Sequence, residues 1–139
     1  MPYEISFTKR VPILDREQYI NDCCIGGDVV VDQLLVSVQS RYADVQMNQE
    51  DWGWFIWFRK GKVRLAIDVF TDDSEVGAFR VHLTSRTKRW LVLDSVIDTP
   101  ELEDLRVQVA SQLAVWAGIA VKVVRLDNNY SEVANISRS

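Results

Sequence analysis

A Lys60-Gly61 pair set between two runs of large apolar residues constrains this chain more than any other feature. Glycine takes the positive φ that tight hairpin turns demand, so the pair predicts a two-residue turn with Arg59 opposite Lys62. Side chains alternate between the two faces of a strand. In this register one face carries Trp52, Trp54, Ile56 and Phe58 against Val69, Ile67, Leu65 and Val63. The other carries Gly53, Phe55, Trp57 and Arg59 against Asp68, Ala66, Arg64 and Lys62. The first face is wholly apolar and belongs in a core. The second mixes aromatic rings with charge.

Periodicity extends the pattern along the chain. Tyr3, Ile5 and Phe7 alternate with polar residues, which predicts a first strand over Tyr3 to Thr8. Asp15 followed by Gln18 resembles a capping box, and Gly26-Gly27 offers a stop, so a short helix is expected between them. Val31, Leu34, Leu35, Val38 and Tyr42 form a helical stripe from Asp28 to Tyr42, ending in a polar stretch from Met47 to Asp51. After the hairpin come two more strands, Val76 to Thr84 and Arg89 to Asp94, with Phe79, Val81, Leu83, Leu91 and Leu93 joining the apolar face. Thr99-Pro100-Glu101 is a helix start, Gly118 is its stop, and Ile119 to Leu126 reads as a last strand. The expected fold is α+β: a four-stranded antiparallel meander over about residues 52–94 packed against helices, in the order β-α-α-β-β-β-β-α-β. Residues 1–126 form a single domain in this reading, and 127–139 a flexible C-terminal tail.

Charge narrows the partners. The chain carries −4 overall, which argues against a general nucleic-acid binder. Residues 59–89 hold eight basic and four acidic side chains, a local excess of four positive charges. No apolar run approaches the roughly 20 residues that cross a bilayer, and the first residues lack the pattern of a signal peptide. The expectations are a cytoplasmic location and no membrane partner. Cys23 and Cys24 are adjacent and cannot form a disulfide framework.

The mixed face supplies the candidate site. The paper register aligns Trp57, Arg64 and His82 in one row, and Phe55, Ala66, Arg80 and Asp94 in the next, with Asp68 two rows from His82. Aromatic, guanidinium and imidazole groups so arranged suit an interface, where aromatic and arginine anchors dominate. Arg80 with Asp94, and Trp57 stacked on Arg64, also suit a sheet surface with no ligand. His82 is the only histidine, so no His-rich metal site is expected. Nucleophile elbow, phosphate-binding loop and dinucleotide fingerprint are all missing, and no cofactor is expected. The favoured reading is a small non-enzymatic protein-binding module (an adaptor, inhibitor or immunity-type partner) using Phe55, Trp57, Arg64, Arg80, His82 and Asp68. An alternative is a small-molecule-binding domain or small enzyme with a sheet–helix pocket around His82, Arg80 and Asp68. A further alternative is single-stranded nucleic-acid binding through Trp57, Arg59, Lys62 and Arg64, where bases would stack on rings and arginines would meet phosphates. A homodimer paired along Tyr3 to Thr8 or Ile119 to Leu126 is the self-association expected of an edge strand.

Overall fold

A computed structural model describes residues 1–87 and 95–133. The chain folds as α+β, with one antiparallel sheet and two helices. Strand β1 spans Tyr3–Thr8, and helix α1 spans Gly27–Arg41. Strands β2 (Gln46–Glu50), β3 (Gly53–Lys60), β4 (Val63–Asp73) and β5 (Ala78–Thr87) follow in an up-and-down run. The two-residue β6 (Ser95–Val96) pairs with β5, and helix α2 (Pro100–Ala117) leads into β7 (Lys122–Arg125). In space the main path is β2-β3-β4-β5-β1-β7.

Several expectations on strand membership change. The polar stretch Gln46–Glu50 is a strand at the sheet edge, where neither face needs apolar residues. The expected strand Arg89 to Asp94 lies outside the described residues. Between Asp15 and Gly26 there is no α-helix, only two 3-10 turns, Arg16–Gln18 and Asp22–Cys24. Asp15 and Asn21 each accept from the amide two residues on, and each such local bond closes a single turn rather than propagating one. Strand β1 is interior, flanked by β5 and β7, so Tyr3 to Thr8 offers no free edge for a dimer.

The hairpin turn also moves. Lys60 pairs with Val63, so the loop is Gly61-Lys62, with Gly61 at φ +61° in the first loop position. Trp57 therefore faces Ala66, and Phe58 faces Leu65. Shifting a turn by one residue shifts the pairing by two, and a shift of two returns every side chain to its own face. Ile56, Phe58, Leu65, Ile67 and Val69 are accordingly buried together, as expected.

Both helices lie on that apolar side. α1 packs against β3 and β4, α2 against β5 and β1, and each contacts the other. Val30, Val31, Leu34 and Val38 of α1 and Leu102, Leu105, Val109 and Leu113 of α2 are buried on Phe79, Val81, Leu83, Ile5 and Phe7. Thr99 caps α2 by accepting from the Leu102 amide at 3.0 Å, and Gly118 ends it. The stretch Asp22–Arg41 is long and apolar enough to pass for a bilayer span by length and composition alone, but only Gly27–Arg41 of it is α-helix, and Val30, Val31, Leu34 and Val38 there form the inner layer of the core.

Trp54 ties α1 to the sheet. Its indole N–H donates to the Cys24 carbonyl at 2.9 Å, and its ring lies over Gly27. A Cβ at position 27 would come within 2.5 Å of Trp54 Cδ1. Alanine is the better helix former, but here it must displace a packed indole. Gly27→Ala is expected to destabilise the fold by roughly 1–2 kcal/mol, read as a lower urea midpoint. An unchanged or higher midpoint would show that the ring moves aside freely.

Candidate functional site

Neither helix touches the second face of the sheet. Phe55, Trp57, Arg64, Asp68, Arg80 and His82 all stand on it, but not in the expected rows. The even shifts of register keep each residue on its face and change its neighbours. His82 sits beside Asp68 rather than Arg64, giving a row Phe55–Asp68–His82–Glu4 across four strands. Arg64 falls between Arg59 and Arg86, while Trp57 is beside Ala66 and Thr84. The expected Arg80–Asp94 pair reaches outside the described residues. Arg80 instead donates to Asp72 at 2.9 Å and lies 3.6 Å from Glu4.

Trp52 is a further correction. It occupies the turn between β2 and β3, with Glu50 paired to Gly53, so strand alternation does not extend to it. Its side chain swings to the mixed face and donates from Nε1 to Asp68 Oδ1 at 3.3 Å. Trp52, Phe55 and Trp57 then form a run of rings: Trp52 meets Phe55 edge-on at 6.3 Å, and Phe55 stacks on Trp57 at 4.9 Å and 21°. Trp52 and Trp57 are 43% and 38% exposed, high for indoles with a core available to them.

Two open concavities flank this run. The first, about 370 Å³, is lined by Phe55, Trp57, Arg59, Arg64, Ala66 and Arg86 among others, with no acidic side chain among its described lining residues. The second, also about 370 Å³, is lined by Trp52, Asp68, Phe70, Arg80, His82 and Tyr130. It holds the trio expected around a sheet–helix pocket, but it lies on the face opposite the helices.

Tyr130 closes one side of the second concavity. Of the segment expected as a tail, residues 127–133 fold back: Leu126 bridges Glu132, and the Val133 amide donates to the Arg125 carbonyl at 2.9 Å. Tyr130, at φ +63°, stacks on His82 at 5.5 Å and 22°. Phe70 meets the same imidazole edge-on at 4.9 Å, and Glu4 Oε1 holds His82 Nε2 at 2.9 Å. Burial pushes His82 below its ordinary range, outweighing the upward pull of Glu4, so the ring is neutral at neutral pH. Chemically this is an oriented imidazole, though nine-tenths of it is enclosed.

Asp68 stands out electrostatically. Burial raises its pKa from the ordinary 3.8 to about 6, against the opposing effects of the Trp52 hydrogen bond and the Arg86 charge. Among the described residues no cation lies within ion-pair distance of it. The acidic turn behaves differently: Asp72 engages Arg80, and Asp73 Oδ1 accepts from the Glu75 and Val76 amides, which accounts for both carboxylates as turn and strand partners. Among the described residues, no group of three His, Cys, Asp or Glu side chains comes together as a metal site.

No protein-family model, curated protein or solved structure matches this chain.

Glu4, Trp52, Phe70 and Tyr130 are the site residues that sequence reasoning missed. Strand alternation places Glu4 and Phe70 on the mixed face once β1 is known to pair with β5; no local signal points to Tyr130.

A raised acid pKa means that the folded state binds the Asp68 proton more tightly than the unfolded chain does. Its ionisation therefore costs stability as pH rises from about 4 to 6, and the full cost applies above 6. Asn keeps the Trp52 hydrogen bond without the charge. Asp68→Asn is expected to match wild type near pH 4 and to exceed it by on the order of 1–2 kcal/mol at pH 7.5, after allowance for solvent screening. Denaturant unfolding at both pH values measures this. An equal gap at the two would show that Asp68 titrates normally.

Proposed function

We propose that this chain is a small non-enzymatic protein-binding module whose docking surface is the aromatic and basic end of the mixed face, and that its partner presents an acidic patch. One observation carries the reading: the stacked Phe55–Trp57 pair stands on the side of the sheet that neither helix packs against, next to Arg59, Arg64 and Arg86 in adjacent cross-strand positions. Large rings and arginines are the side chains most enriched at binding hot spots. Lys60 and Lys62 at the exposed hairpin tip extend the positive surface, whereas the rest of the chain is acidic. An inhibitor, adaptor or immunity-type role fits a domain of this size with such a face.

The test is capture from a lysate of the source cells with wild type and a Trp57→Ala, Arg59→Glu double variant, each run with and without nuclease. Both positions are exposed, so their combined effect on stability is expected to stay within about 1 kcal/mol. Capture of the partner is expected to fall at least tenfold in the variant. The complex rebuilt from purified components should weaken as salt rises. Recovery of the same proteins by both baits would remove this face from the reading. Loss of capture on nuclease treatment alone would transfer the rings and arginines to a single-stranded nucleic acid.

A further inference from the structure

The second concavity differs in chemistry from the arginine-lined end. Its walls are rings: Trp52, Phe70, Tyr130 and the imidazole of His82. Its lining holds one acid, Asp68, and one cation, Arg80, and two further carboxylates, Glu4 and Asp72, stand next to Arg80. Arg80 is already held by Asp72 and Glu4, and its guanidinium lies 4.9 Å from the centre of the Phe70 ring. A cation therefore already sits on one ring of the site. Asp68 is half-buried, accepts one hydrogen bond from Trp52, and has no described counter-ion. An ionised carboxylate so placed is unfavourable until a positive charge reaches it.

We infer that this ring-walled dish on β4 and β5 binds an organic cation of the alkylammonium class, its methyl groups against Trp52, Phe70 and Tyr130 and its charge over Asp68. Aromatic faces attract such ions through their quadrupoles, and alkylated ammonium is favoured over a bare amine because it is less strongly hydrated. A neutral His82 backs the Tyr130 and Phe70 rings without opposing the charge. An anion is disfavoured, because the one guanidinium present is already engaged by two carboxylates. This site is independent of the arginine end and does not require the proposed protein partner.

The experiment is calorimetric titration at pH 7.5, where Asp68 is ionised, using choline and its uncharged isostere 3,3-dimethylbutan-1-ol. Choline is expected to bind saturably with a Kd on the order of 0.1–1 mM, at least tenfold more tightly than the alcohol. Trp52→Ala and Asp68→Asn, each confirmed folded by its thermal melt, should each weaken choline about tenfold or more. Val115→Ser, on the exposed outer side of α2, should leave it unchanged. A peptide carrying trimethyl-lysine distinguishes the sources: tighter binding than choline places the cation on a protein chain, and weaker binding places it on a free small molecule. Equal affinity for choline and the alcohol would overturn the proposal. So would a lack of saturation by about 20 mM, or undiminished binding by the Asp68→Asn variant.

Discussion

The sheet of this protein has one apolar face, and the placement of every other element follows from that. Ile56, Phe58, Leu65, Ile67, Val69, Phe79, Val81 and Leu83 alternate inward along three adjacent strands, joined by Ile5 and Phe7 of β1. An apolar surface of that width needs more than one helix to cover it, so α1 takes the β3–β4 half and α2 the β5–β1 half. With both helices committed to one side, neither remains for the other. The aromatic and charged residues there are held at fixed spacing by the sheet ladder, and among the described residues Tyr130 packs on that face against His82.

This arrangement separates the packed side of the sheet from its mixed aromatic and charged side. The residues that carry the buried area and those that carry the chemistry are on opposite sides of the same strands, one position apart. Substitution at Phe55, Trp57 or Arg59 leaves the inner layer intact, whereas one at Ile56 or Phe58 opens it. The exception is Trp54, half-buried and bonded to the Cys24 carbonyl, which fastens the irregular segment before α1 to the sheet. The face is divided in turn, with guanidinium groups at one end and carboxylates at the other, and Phe55 between them.

The composition of the two faces was legible from the sequence, and the neighbours on each face were not. Strand parity depends only on alternation, so Phe55, Trp57, Arg64, Asp68, Arg80 and His82 came out on one surface even though the Gly61 turn was misplaced by a residue. Register depends on where each turn closes, and at the turn between β4 and β5 an error of four positions separated Arg64 from His82 and brought Asp68 beside the imidazole. The caps of α2 were legible because Thr99, Pro100 and Gly118 act through local backbone bonds. β2 was not, because Gln46–Glu50 at an edge has no apolar periodicity to display. The pairing of β1 with β5 spans more than 70 residues and left no local trace, which is why Glu4 was missed as the partner of His82. Tyr130 was missed for a related reason: its position comes from a left-handed turn in a polar segment that has no pattern of its own.

The two borders of the sheet have a consequence for how such a face can exist at all. β2 presents Gln, Met, Asn, Gln and Glu at one border, and at the other the backbone of β7 is partly occupied by the returning residues Glu132 and Val133. Ladders of unpaired amides beside a run of exposed rings are what drive chains to stack edge to edge into fibres. At the β7 border the returning residues Glu132 and Val133 take up part of that template, and at the β2 border the edge carries mainly polar side chains in place of apolar ones. The exposed rings thus lie beside borders that offer an incoming strand little apolar side-chain surface to pack against.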